Sequence, residues 1–210
     1  KKVLVTAGPT REPIDPVRFI SNRSSGKMGY SIAKAVKNYG ASVDLVSGPV
    51  NLPSIPQINI IDIETSLDMQ NNIDVLLNKN NYDYIFMVAA VGDYSISNIQ
   101  KQKIKSTANQ VKLELNKNSD ILKSISQKSK ATIIGFALET ENGEQEALKK
   151  LVNKNIDYIV LNYANEENAG FESNTNHVYL YSKSGFKKEF KLDRKDRIAK
   201  QIIDCIIEND

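Results

Sequence analysis

Apolar positions in the first three quarters of the chain fall into two alternating patterns. Short, nearly continuous apolar runs at residues 3–6, 42–46, 58–63, 84–88, 132–136 and 158–161 read as buried strands. Between them, apolar residues recur at helical spacing. Met28, Ile32, Ala35, Val36 and Tyr39 form one such face, stopped by Gly40, and Met69, Ile73, Leu76 and Leu77 form a second, opened by Thr65 with Asp68 three residues on. Ile121, Leu122 and Ile125 form a third, with Asn118 or Ser119 as its expected cap, and a fourth helix is expected over 144–153. Repeated strand–helix units imply right-handed crossovers and a mainly parallel sheet with helices on both faces, a Rossmann-like doubly wound α/β fold.

The pattern breaks twice. Residues 91–110 are polar and aperiodic, and Val111-Lys112-Leu113-Glu114-Leu115 then alternates as a strand with one wet face. Near the end, 177–182 and 186–192 flank Lys183-Ser184-Gly185 as a hairpin, after which Asp193 is the expected cap of a last helix with Ile198, Ile202, Ile203 and Ile206 inward. No internal repeat or linker divides the chain, so a single domain over 1–210 is expected, with 91–115 and 177–192 as additions to the sheet.

One connection is out of proportion. From Gly8 to Gly29 the chain carries three prolines, three arginines and an Asn-x-Ser-Ser-Gly segment between the first strand and first helix. Ordinary βα loops take ~2–6 residues, and the Arg, Phe and Ile content argues against a disordered linker.

Composition narrows the chemistry. Of 210 residues, 40% are hydrophobic and 25% charged, with a net charge of +3 spread along the chain, so no concentrated basic face for nucleic acid is expected. One cysteine, Cys205, and one histidine, His177, exclude disulfides within the chain and Cys/His zinc sites. Cys205 lies among isoleucines and reads as core, and His177 sits in an alternating strand and reads as an edge or surface residue. No apolar run reaches the ~18 residues of a membrane span. The first strand begins at once, leaving no room for a signal peptide, so a cytoplasmic protein is expected.

Ser24-Ser25-Gly26-Lys27-Met28-Gly29 opens the first helix, where backbone N–H groups and small residues favour an anion. It resembles a P-loop poorly, because Met28 stands where Ser or Thr is needed and Ser21 where Gly is needed. A dinucleotide fingerprint fits no better. About seventeen residues separate it from its strand, and Val46-Ser47-Gly48 replaces the acidic residue that would hold a ribose. Lys103 and Lys105 follow the Ala89-Ala90 strand end, and Lys150 and Lys154 share a helix face. Each pair alone reads as solvated surface; together they can neutralise a triphosphate. Asp93 reads either as a ligand to a nucleotide or metal or as a turn cap beside Gly92, and Phe136 as core or as a stacking platform. Asn22 is a poor acid or base but a good donor toward an acyl carbonyl or oxyanion.

The block from Asp15 to Gly29 resembles the phosphopantothenate–cysteine ligases of coenzyme A biosynthesis, as do Leu45-Val46-Ser47-Gly48-Pro49, Ala89-Ala90-Val91-Gly92-Asp93-Tyr94, Lys103-Ile104-Lys105, Lys117-Asn118-Ser119-Asp120-Ile121-Leu122, Gly135-Phe136-Ala137-Leu138-Glu139-Thr140 and the Lys150/Lys154 pair. The resemblance spans nearly the whole chain in order. It implies a two-step ligation in which the carboxylate of 4′-phosphopantothenate attacks CTP to give an acyl-cytidylate and pyrophosphate, and L-cysteine then gives the amide and CMP. It implies Asn22 and Lys103 as catalytic residues, with Ser24, Gly26, Gly29, Ala89 and Ala90 on the substrate. Gly8, Asp93, Lys103, Asn118, Ser119, Asp120, Ile121, Phe136, Lys150 and Lys154 would meet the nucleotide, whose phosphates carry Mg²⁺. A homodimer is implied, with residues around 98–115 and the terminal hairpin as interface material. The standalone form is expected, with no FMN and with a separate decarboxylase acting next in the pathway. Ser119 and Gly92 stand where proline and alanine are common in the family. An NAD(P)-dependent oxidoreductase, or a nucleotide-binding module, on the same architecture is the alternative.

Overall fold

The computed structural model describes residues 1–105, 110–166 and 173–209. In chain order the elements are β1 (Lys2–Ala7), β2 (Arg11–Pro13), β3 (Phe19–Ser21), α1 (Lys27–Asn38), β4 (Ser42–Ser47), β5 (Asn59–Asp62), α2 (Ser66–Lys79), β6 (Tyr84–Met87), β7 (Tyr94–Ile96), β8 (Leu115–Lys117), α3 (Ile121–Lys128), β9 (Thr132–Glu139), α4 (Gly143–Asn153), β10 (Tyr158–Tyr163), β11 (Thr175–Ser182), β12 (Lys187–Arg194) and α5 (Lys195–Asn209).

Eight strands form one sheet in the order β12-β11-β10-β9-β6-β1-β4-β5. The six from β10 to β5 pair in parallel, and the β11–β12 hairpin is added antiparallel to β10. Both faces of the central strands are covered, which explains their continuous apolar runs. One core packs α1 and α5 through Ile32, Val36, Ile198 and Ile202. The other packs α2, α3 and α4 through Met69, Ile73, Ile125 and Leu151. The Thr65–Asp68 capping box forms as expected, and Cys205 is buried in the α5 core. Among the described residues no helix is long and apolar enough to cross a membrane.

Three local expectations are corrected. The strand expected at 111–115 does not form there: only Leu115–Lys117 pairs, with Tyr94–Ile96, as a two-stranded sheet apart from the main one. Its alternating apolar residues meet no core, and Val111, Leu113 and Leu115 stay exposed. The cap of α3 is Asp120, whose carboxylate accepts from the Lys123 N–H; Asn118 and Ser119 bond elsewhere. Asp193 lies inside β12, opposite Asn176, so the last strand passes straight into α5 at Lys195.

The strand order reverses beside β1: β4 and β5 lie on one side of it, β6 on the other. In open α/β sheets the crevice beyond the strand ends at such a point is where ligands bind. The overlong connection leaves from β1 at this place.

Candidate active site

The end of β1 is fastened to the end of β6 by two threonines. The buried Thr6 hydroxyl accepts from the N–H groups of Val88 and Ala89 at 3.0 and 3.1 Å. Beyond it Gly8, in the left-handed region at φ 74°, presents its carbonyl to the Ala90 N–H at 2.9 Å, and Pro9 bridges Ala90. Thr10, also buried, accepts from the Gly92 N–H at 2.8 Å. The Asn22 Nδ2 donates to the carbonyls of Ala90 and Val91 at 2.9 and 3.2 Å, and the Asn118 Nδ2 to that of Gly92 at 2.7 Å. Gly8, Asn22, Ala89, Ala90, Asp93 and Asn118 are therefore brought together around one stretch of backbone.

The start of α1 forms one wall of a cavity of about 130 Å³. Gly26 occupies the cap position at φ 74°, which glycine adopts at no steric cost, and no side chain caps the helix. N–H groups at a helix start have no intrahelical acceptor, and those of Met28 and Gly29 stand in this first turn where a ligand can meet them. Ser24, Gly26, Gly29, Ala89 and Ala90, implied above to meet the substrate, line this cavity together with Phe136, implied to meet the nucleotide. Asn162, Asn176 and Lys195 line it too.

A second group sits between α3 and α4. Lys154 pairs with Asp120, and Lys150 with Glu139 at 2.6 Å. Burial opposes ionisation of Asp120, but the Lys154 ammonium and the Lys123 N–H outweigh it and lower the pKa. Ile121 is buried under the first turn of α3, while Ser119 bonds Gln70. Neither the lysine pair nor Lys103 lines the cavity. The two lysines expected to meet a triphosphate therefore carry carboxylate partners here.

The long connection is built as a clamp. β2 and β3 pair as a small hairpin, closed by the buried carboxylate of Asp15. Its Oδ1 accepts from the N–H groups of Val17 and Arg18, both at 2.9 Å, and its Oδ2 accepts from Arg18 Nε at 3.0 Å and from the Ile104 N–H at 3.1 Å. Arg18 returns a bond to the Ile104 carbonyl at 3.0 Å. The hydrogen-bonded guanidinium holds the Asp15 carboxyl well below the usual carboxylate range, against the opposing pull of burial. Ile104, gripped at both backbone groups, lies between Lys103 and Lys105. On the other side Glu12, buried, accepts from Ser66 N–H at 2.9 Å and so closes the start of α2. Sequence reasoning missed Thr6, Thr10 and Glu12, because a polar residue at a strand end carries no periodic signal.

Six parallel strands with a crevice at the strand-order reversal define a Rossmann-like α/β protein. Within that class, the chain belongs to the family described as the DNA/pantothenate metabolism flavoprotein C-terminal domain, whose model matches residues 1–209. It is 39% identical over 211 residues to the coenzyme A biosynthesis bifunctional protein CoaBC of Escherichia coli strain K12, covering 98% of this chain and 51% of that protein. Against CoaBC of Bacillus subtilis strain 168 the identity is 40% over 205 residues, covering 97% of this chain and 50% of the relative. The chain thus spans about half the length of the curated relatives it matches. Its fold is that of a crystal structure of the C-terminal domain of CoaBC, with a TM-score of 0.83 at 39% identity, covering 100% of this chain and 97% of the other. The family match runs over the same stretch as the motifs that resemble the phosphopantothenate–cysteine ligases.

Proposed function

We propose that this chain is a ligase of coenzyme A biosynthesis that joins L-cysteine to 4′-phosphopantothenate, with CTP as the activating nucleotide. The observation that carries the reading is the start of α1, without a side-chain cap, which lines one cavity with Ala89 and Ala90 while the Asn22 amide is bonded to the Ala90 carbonyl. A phosphorylated substrate anchored on α1 extends its far end along the Ala89-Ala90 backbone toward Asn22. Its carboxylate attacks the α-phosphorus, pyrophosphate leaves, and the mixed anhydride that forms has a good leaving group. The cysteine amine then attacks the acyl carbon and CMP departs.

In this mechanism the protein chiefly positions and neutralises charge. Lys150 and Lys154 exchange Glu139 and Asp120 for the triphosphate, and Lys103 meets the α-phosphate as the acyl-cytidylate forms. The Asn22 amide orients the acyl group for the second step. Mg²⁺ arrives on the nucleotide's phosphates as part of the substrate. Among the described residues no three metal-ligating side chains gather. A cytoplasmic homodimer, with the segment around 98–115, including the exposed Ile99, Val111, Leu113 and Leu115, and the terminal hairpin as interface material, completes the proposal.

Pyrophosphate release from CTP tests it. Release should require both phosphopantothenate and Mg²⁺, and a folded protein that releases none overturns the ligase reading. Lys103→Gln should abolish release. Asn22→Asp should still form acyl-cytidylate but turn it over poorly, a loss of ~2.7–4 kcal/mol in that barrier; equal loss of both half-reactions would refute this division of roles.

A further inference from the structure

One side chain of the cavity is costly and is used by nothing described so far. Lys195, the first residue of α5, is 5% exposed and lines the cavity opposite the α1 start. Lys27, on the first turn of α1, lies near enough to add its own repulsion, and burial together with that repulsion brings the Lys195 pKa down to about 8. Asn174 ties the two together: its carbonyl accepts from the Lys195 N–H at 2.9 Å and its Oδ1 from Lys27 Nζ at 2.7 Å. Two cations and the positive end of a helix thus converge on one small space, and no Asp or Glu is among the described residues lining it.

A second observation comes from the neighbouring strand. Asn176 is 3% exposed, lines the same cavity, and its side-chain oxygen has no hydrogen-bond partner among the described residues. Such an atom costs free energy that a bound group can recover. The residue stands beside a register irregularity between Asn176 and Val178, and bulges of this kind redirect side chains near functional sites. The amide can also turn to present its NH₂ group, because which end is oxygen depends on the hydrogen bonds available.

We propose that Lys195 and Asn176 complete the receptor for the substrate's terminal phosphate and that Lys195 makes the protein select phosphorylated over unphosphorylated pantothenate. This rests on the ligase reading for the identity of the substrate, and it adds the residues that read the phosphate's charge. The α1 N–H groups supply geometry and Lys195 the countercharge. Because β12 leads directly into α5, the added hairpin is what delivers this charge to the parallel sheet.

Calorimetric titration of the whole chain with 4′-phosphopantothenate and with pantothenate, without nucleotide, tests the proposal apart from catalysis. Lys195→Met should weaken binding of the phosphorylated compound ~10- to 100-fold, the range for a lost charged hydrogen bond, and collapse the ratio between the two compounds. Lys195→Arg should restore much of that ratio, which a general packing defect would not allow. If Lys195→Met fails to fold, Asn176→Ala is read instead and should weaken the phosphorylated compound selectively. An unchanged affinity ratio in the folded variants overturns the proposal. If Lys195→Met loses phosphate-dependent binding while the parent protein releases no pyrophosphate from CTP, the phosphate receptor stands and the ligase reading falls.

Discussion

Gly48 shows how one residue can settle a choice between ligands. A Cβ added there would lie 1.7 Å from the Pro9 carbonyl oxygen, so only hydrogen allows the connection after β1 to cross the end of β4. A dinucleotide's ribose acid would stand at this strand end, and Ser47 and Gly48 occupy it while the crossing backbone fills the space. The oxidoreductase alternative therefore lacks both the acid and the room. Gly48→Ala should cost about 3 kcal/mol or more, because the clash is with backbone and cannot be relieved by a rotamer; urea denaturation measures it, and a loss within 0.5 kcal/mol of zero, the usual range of surface changes, would contradict the crossing. Asn22 and the Ser24–Gly29 turn were legible from residue type and place on the chain. Lys195 was not, since a lysine at the start of an amphipathic helix reads as solvated unless its tertiary surroundings are known.

Among elements, the clamp accounts for the length of the connection between β1 and α1. It reaches the Ile104 backbone on one side and the start of α2 on the other, two tasks that no 2–6-residue loop can span. Asp15→Asn should leave Arg18 without its charged partner and loosen the Lys103 segment. The expected result is a lower melting temperature and a fall in pyrophosphate release on the order of 100-fold, as for a misplaced catalytic group. The pH dependence has a definite sign. A depressed carboxylate pKa stabilises the fold above the unfolded value near 4 and loses that contribution as pH falls through the folded value. Parent and variant melting curves should therefore separate at neutral pH, with the gap starting to narrow only below about pH 4 and closing as pH falls through the folded value; a constant gap would exclude the ionised carboxylate as the cause. Most strands and helices were legible because burial on both faces writes itself as apolar runs and 3.6-residue spacing. The segment 111–115 misled because alternation reports two faces of unlike polarity, and here the apolar face meets no core. Asp193 misled for the opposite reason: a good capping residue was claimed by a strand that runs on to Arg194, past the apolar residues that mark it.

For the whole molecule, five of the exposed apolar side chains lie on the small β7–β8 sheet and the chain segments flanking it. Tyr94, Ile99, Val111, Leu113 and Leu115 are each more than 40% exposed, a concentration that monomers rarely leave open. Sedimentation should give twice the 23.5 kDa chain mass, and Leu113→Glu with Leu115→Glu should shift it to the monomer. Identical sedimentation of parent and variant would place the interface elsewhere.

The burial of Cys205 has a practical consequence for such measurements. The chain's one thiol is 1% exposed, and burial pushes its pKa up, away from the reactive thiolate. A cysteine introduced at an exposed site such as Leu113 becomes the single accessible thiol of the molecule. A spin label or fluorophore can then report the distance between two copies without first removing a native cysteine from the core.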